Sequence, residues 1–112
     1  MLRNIANKLF DQNRVYHWYY VHPETGIVTH ERWSKDYKLD RADGPAIILR
    51  DPVTDILTHE SWYQDGKRHR ADGPAVTDRD PVTGAVILEE WWLDGQQQEP
   101  PGPAPSAASP QP

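Results

Sequence analysis

Short stretches of β-branched and aromatic residues alternate with polar turn sequences along most of the chain. Such stretches, bounded by Gly, Pro, Asn and Asp, are typical of strands. Successive side chains of a strand point to opposite faces, and here both faces carry a mixture of polar and apolar residues. The pattern predicts a mainly β fold, an antiparallel meander of about six strands joined by hairpins. The expected strands are Tyr16–Val21, Ile27–Ser34, Ala46–Arg50, Ile56–Gln64, Ala75–Arg79 and Ala85–Leu93.

The two ends of the chain follow other patterns. Apolar residues between Leu2 and Phe10 recur at helical spacing, which predicts a short amphipathic helix over about residues 2–12, covering one face of the sheet. Residues 96–112 contain no aliphatic side chain larger than Ala and hold six of the 11 prolines. Such a segment buries too little apolar surface to offset its ordering entropy, so we expect a disordered tail. The predicted folded part is a single domain over residues 1–95.

A 29-residue unit recurs along the predicted domain. Trp33, Trp62 and Trp91 are spaced by 29 residues, and residues 33–61 match residues 62–90 at 15 of 29 positions. Partial copies precede and follow these two, over residues 15–32 and 91–95. Self-similarity at a fixed period indicates one supersecondary element per unit, which buries its apolar face against its neighbours.

Two turns and one break punctuate each unit. The first turn is Asp-Pro-x-Thr-Gly, in which Pro presets φ and Gly supplies a left-handed residue; Asp55 replaces that Gly once. The second is Asp65-Gly66, repeated as Asp94-Gly95, and Asp-Gly is a strong hairpin signal. The equivalent Asp36-Tyr37 lacks the Gly, which predicts a looser turn. The segment Arg-Ala-Asp-Gly-Pro cannot continue a regular ladder, because Pro lacks an N–H, so we expect a bend or bulge there.

The clearest copy resembles a known repeat. Residues 62–75 read W-Y-Q-D-G-K-R-H-R-A-D-G-P-A, similar to the W-Y-x-x-G-K-x-H-R-x-D-G-P-A repeat of many bacterial, phage and large-virus proteins. Those repeats are similar to MORN-type β-hairpin repeats. The likeness covers residues 33–95 well and 16–32 weakly, and the first full copy departs from it at Ser34, Tyr37 and Asp40. The resemblance implies a curved meander of hairpins with protein or lipid contacts, and it implies no reaction.

Composition narrows the classes of partner. The net charge is −5 and there is no Cys. Binding to nucleic acid or to an anionic membrane favours a basic face, so we expect neither, although Lys67–Arg70 forms a local basic patch. The absence of Cys excludes disulfides and thiolate metal sites. The sequence contains no run of 18 apolar residues, so we expect no transmembrane helix. We expect a cytoplasmic protein with no cofactor and no metal.

Residues that recur once per unit are first candidates for the scaffold. An aromatic binding platform is the alternative for the Trp residues, and acid–base chemistry is the alternative for the Glu residues that precede each Trp by two. Cross-strand Glu–Arg pairs account for these carboxylates more simply, since Arg41 and Arg70 recur as regularly. Asp43 and Asp72 suggest turn caps rather than half of a calcium loop. The structural positions are Trp33, Trp62, Trp91, Gly44, Pro45, Gly73 and Pro74.

We find no Ser/His/Asp triad spacing, phosphate loop or nucleophile elbow, and we expect no catalysis. The leading hypothesis is a protein-interaction module that binds a partner, or a second copy of itself, through a face or edge of the sheet. The alternatives are a small acidic inhibitor or decoy of a bacterial enzyme, of the phage or mobile-element type, and a MORN-like lipid-surface module. The candidate contact residues are Tyr19, Tyr63, His69, Arg70 and Trp92.

Overall fold

The computed structural model describes residues 5–10 and 14–101. Those residues form strands and no helix, so the expected mainly β class is confirmed. The strands are β1 (Ile5–Phe10), β2 (Val15–Val21), β3 (Val28–Lys35), β4 (Lys38–Leu39), β5 (Ile47–Arg50), β6 (Leu57–Ser61), β7 (Tyr63–Gln64), β8 (Lys67–Arg68), β9 (Val76–Arg79), β10 (Val86–Leu93) and β11 (Gln96–Gln98).

The strands build one antiparallel sheet with the order β1-β2-β3-β5-β6-β9-β10-β11, and β4 pairs with the end of β3. Strands β7 and β8 form a separate two-stranded ladder that follows directly after β6. Neighbours in the sheet are close in sequence, as expected for a meander. The described part is a thin sheet with a smallest dimension of 18 Å.

Each break in the ladder lies beside a Trp. The backbone N–H of Trp33 donates to Ala46, and its carbonyl accepts from Asp40, so β4 and β5 share one edge of β3. The residues between them, Arg41 to Pro45, leave the sheet as a bend. Trp62 makes the same two backbone hydrogen bonds: its N–H donates to the Ala75 carbonyl, and its own carbonyl accepts from the N–H of His69. The expected strand Ile56–Gln64 is therefore divided at Trp62 into β6 and β7.

The Pro-containing turns have the expected chemistry. One carboxylate oxygen of Asp51 accepts the backbone N–H groups of Val53 and Thr54 at 2.8 and 2.9 Å, and the turn at Asp80 repeats these distances. These hydrogen bonds lower the pKa of Asp51, and the one from the Thr54 N–H contributes more than the one from the Val53 N–H. Gly84 and Asp55 close these two turns with φ of 79° and 66°.

Little of the sheet is buried. Among residues 14–101, four residues have buried apolar side chains and three have buried polar ones. All lie in or directly beside strands β3, β5, β6 and β9, which are the four central strands of the sheet order. The buried residues are Ala46, Ile48, Ala75 and Val76, together with Thr29, Ser61 and Thr77.

Two predictions for the chain ends differ from the structure. Ile5–Phe10, expected to be helical, form β1 and pair with β2 from Ile5 opposite Tyr20 to Phe10 opposite Val15. A strand satisfies the outer N–H and C=O groups of β2, which a helix packed on the face would leave open. Gln96–Gln98, expected to begin the tail, pair with the end of β10 through the Asp94-Gly95 turn. The remainder of the predicted helix, residues 2–4 and 11–12, and of the tail, residues 102–112, lies outside the described residues.

Candidate interaction surface

The break in each unit places an arginine on the preceding tryptophan. The guanidinium carbon of Arg41 lies 3.7 Å from the ring centroid of Trp33, and that of Arg70 lies 3.9 Å from Trp62. Each guanidinium also donates to the carbonyl of the Pro four residues later, at 3.1 and 3.2 Å. A planar cation stacked on an indole and fixed by a carbonyl is held in one orientation.

Glycine in the break makes room for that arginine. A Cβ built on Gly44 would lie 2.7 Å from the Arg41 guanidinium carbon, and one built on Gly73 would lie 2.9 Å from that of Arg70. An Asp lies between the arginine and the glycine in each break. In the second copy it is Asp72, which accepts a hydrogen bond from Nε of Arg70 at 3.0 Å. Trp, Arg, Asp, Gly and Pro of the sequence motif thus belong to one cluster.

A second arginine of each unit pairs with a glutamate of the preceding unit. The Arg50 guanidinium donates to Glu31 at 2.5 Å, and that of Arg79 donates to Glu60 at 2.6 Å. Cross-strand Glu–Arg pairs were expected, but their arginines are Arg50 and Arg79, because Arg41 and Arg70 lie on tryptophans instead. Which arginine reaches which carboxylate depends on strand register.

Glu31 also accepts a hydrogen bond from the His17 ring at 2.8 Å, and that ring stacks on Trp33 with a centroid distance of 3.9 Å. Burial raises the pKa of the Glu31 carboxyl, but the hydrogen bonds and positive charges of Arg50 and His17 outweigh it. The net effect is a pKa below the ordinary value for Glu.

The third copy lacks both arginines in the part of the chain that the structure describes. Glu89 and Trp91 occupy the positions of Glu60 and Trp62, yet Glu89 is exposed with no ion pair, and no cation lies over Trp91. The residue 29 positions after Arg70 is Glu99. Trp91 and Glu99 line an open groove of 540 Å³.

The same place is an unpaired sheet edge. Within β10, residues Val86 to Glu90 pair with β9 on one side, whereas β11 pairs with Trp91 to Leu93 on the other. No described strand covers the remaining length, which we call the outer edge of β10. The apolar side chains along it are exposed, and Ile87 is 66% accessible. The equivalent stretches of β3 and β6 are flanked by β5 and β9 and are largely shielded.

The predicted contact residues fall into separate places. Arg68 lies between Tyr63 and Trp92, at 6.0 and 5.0 Å from their ring centroids, so these two aromatic residues meet through a cation. Tyr19 is half-buried on β2, on the far side of the sheet order from β10.

The other two predicted contact residues, His69 and Arg70, make structural contacts. Nδ1 of His69 accepts the backbone N–H of Asp94 at 3.1 Å. Asp40, 29 residues earlier, accepts the N–H of Asp65 with its carboxylate at 2.7 Å. The departure from the motif at Asp40 therefore keeps this link between successive turns.

A chain of hydrogen bonds joins three residues that sequence analysis did not bring together. The His59 ring bonds Ser61 through Nε2 and Asp78 through Nδ1, both at 2.5 Å. This is the bonding order of a serine hydrolase, but Ser61 is only 1% exposed, so its hydroxyl is closed to substrate. His59 and Ser61 share a strand face, and Asp78 lies opposite His59. The sequence could have revealed this cluster only if the register between β6 and β9 had been known.

No protein-family model matches the chain, and neither the curated proteins nor the solved structures contain a significant match. Among residues 5–10 and 14–101, no helix could cross a membrane. Within the same described ranges, no three His, Asp or Glu side chains gather as metal ligands would.

Proposed function

We propose that this chain is a non-catalytic tandem-repeat β-sheet protein that binds another protein through the outer edge of β10. The single observation that carries the proposal is that Val86 to Glu90, paired with β9 on one side, has no described strand on its outer edge and exposes its apolar side chains there. An uncovered strand presents a row of free N–H and C=O groups, and binding by strand addition uses such a row.

The distribution of charge supports this proposal over the acidic inhibitor. The carboxylates of Glu31 and Glu60 are paired with arginines within the sheet, which leaves fewer unpaired carboxylates for an acidic inhibitor to present to an enzyme. The free carboxylate of Glu89 lies on the outer edge itself, next to exposed Leu88. A mixed apolar and acidic edge suits a polypeptide partner.

A proline at position 89 tests the edge. The Glu90 carbonyl accepts the N–H of Ala75, which directly precedes β9, so Glu90 points towards β9. Backbone groups alternate along a strand, and Glu89 therefore directs its N–H outward. Glu89→Pro therefore removes an outer donor while the bond to β9 remains. Immobilised wild-type and variant chains are compared for proteins retained from cell lysate, by quantitative mass spectrometry, with Val82→Ser in an exposed turn as control.

We expect a protein that wild type and Val82→Ser retain and that Glu89→Pro loses. A Tyr63→Ala/Trp92→Ala variant that loses the same protein, while Glu89→Pro keeps it, would place the contact on the sheet face and contradict the edge. Equal retention by all four chains would contradict both.

A further inference from the structure

We propose that the outer edge of β10, together with Glu89 and Trp91, binds an arginine-bearing segment of a partner protein that bends at its start and continues as a strand. The proposal rests on the function proposed above and specifies the partner's chemistry. The segment carries two arginines nine residues apart, in the pattern R-x-x-G-P-A-x-x-x-R. The first arginine covers the Trp91 ring, and the second pairs with the Glu89 carboxylate.

The molecule contains two filled versions of this arrangement. In the first, Arg41 begins the bend and lies over Trp33, while β5 pairs with β3 and places Arg50 on Glu31. Residues 70–79 are arranged beside β6 in the same way, with Arg70 over Trp62 and Arg79 on Glu60. In both, Ala at the sixth position is fully buried where the segment joins the sheet. The third Glu and Trp lie two residues apart on one face of β10, as in the filled versions.

Arginine fits this place better than other cations. Its planar guanidinium stacks on an indole and donates two parallel hydrogen bonds to a carboxylate, whereas an ammonium is a compact, strongly hydrated charge. The groove beside Trp91 is lined by Glu99, which adds a negative charge, and by Arg70, whose guanidinium is already held by Trp62, Asp72 and the Pro74 carbonyl. The net charge of −5 also favours the approach of a basic segment.

The chain's own tail and a second copy are poorer occupants. Gly102-Pro103-Ala104 match Gly73-Pro74-Ala75 at the 29-residue spacing, but Glu99 and Ala108 stand where the filled versions have arginines. The tail thus lacks the two side chains that make the contacts. In a second copy, both arginine segments are already paired within its own sheet as β5 and β9.

A synthetic peptide with the sequence of residues 70–79, RADGPAVTDR, tests the proposal by fluorescence anisotropy against the full chain. We expect saturable binding, and an affinity at least about tenfold lower when both arginines are Gln, because the peptide then loses both the charge-assisted hydrogen bond to Glu89 and the cation–π contact with Trp91. Replacement of both arginines by Lys should also weaken binding. Glu89→Gln should lower the affinity about tenfold, whereas Glu24→Gln, in an exposed turn, should leave it unchanged.

Three results would overturn the proposal. Equal affinity for the Arg and Gln peptides would contradict the proposed role of the arginines. If Glu89→Pro nevertheless fails to retain a protein from lysate that wild type retains, the proposed function stands without this inference. A chain that lacks residues 102–112 and binds more than tenfold tighter would show that the tail occupies the site. Self-association seen by sedimentation, and abolished by Glu89→Gln, would identify the occupant as a second copy. Equal binding by full and shortened chains, both monomeric, supports a partner segment.

Discussion

The guanidinium of Arg70 lies 3.9 Å from the centre of the Trp62 ring. This contact joins the start of one break to the strand before it, and it is held by Asp72 and by the carbonyl of Pro74. With so little apolar area buried in a thin sheet, such side-chain clusters between strands carry much of the specificity of pairing.

The first prediction concerns Gly73→Ala. The added Cβ would meet the Arg70 guanidinium at 2.9 Å and displace it from Trp62. We expect the free energy of unfolding to fall by about 2 kcal/mol, the low end of the sum of an exposed cation–π contact and a charged hydrogen bond. Urea denaturation of Gly73→Ala, Arg70→Ala and the double variant measures the coupling. If Gly73→Ala lowers the free energy of unfolding equally in wild type and in Arg70→Ala, the glycine is not needed to make room for the arginine.

The second prediction concerns the turn without glycine. Tyr37 has φ of 66° and is 74% exposed, whereas Gly66 holds the equivalent position with φ of 82°. Tyr37→Gly should raise the free energy of unfolding by about 0.5–1 kcal/mol, because the left-handed region strains a side chain and suits Gly. The control is Lys35→Gly in β3, where Gly should destabilise. A lower melting temperature for Tyr37→Gly would contradict this.

The third prediction concerns acid. The folded-state pKa of Glu31 lies below its ordinary value, so its ion pair with Arg50 stabilises the fold fully above the unfolded pKa of about 4.3. That stability is lost as pH falls through the lower, folded-state pKa. The difference in unfolding free energy between wild type and Glu31→Gln should therefore be largest at neutral pH and shrink below about pH 4. A difference that stays constant from pH 7 to pH 3 would exclude this linkage.

The fourth prediction concerns Ser61. Ser61→Ala removes the hydroxyl that bonds His59 and should lower stability by about 1 kcal/mol. Because the hydroxyl is buried, wild type should not be labelled by a fluorophosphonate probe for activated serines. Ser34→Ala, on half-buried β3, serves as the matched stability control. Labelling of wild type that Ser61→Ala abolishes would mean that the hydroxyl becomes accessible and reactive.

The sequence by itself determined the local features. Strand positions, the Asp-Pro turns and the bend at Arg-Ala-Asp-Gly-Pro follow from side-chain volume, from the fixed φ and missing N–H of Pro, and from the φ tolerance of Gly and Asp. These depend on a few adjacent residues, which is why the bounds of β2, β3, β5 and β9 differ from the predicted strands by one residue at most.

Only the tertiary structure decided which distant residues meet. Register assigned Arg50 and Arg79 to the glutamates, left Arg41 and Arg70 to the tryptophans, and joined His59 to Asp78. Edge pairing made a strand of Ile5–Phe10, although its apolar spacing suits a helix, since the unpaired groups of β2 needed partners. Register and edge pairing join residues far apart in the chain, so no local pattern specifies them. The sequence shows Glu99 and Ala108 in place of the two arginines, but only the folded sheet revealed that Trp91 and Glu89 thereby lack arginine partners among the described residues.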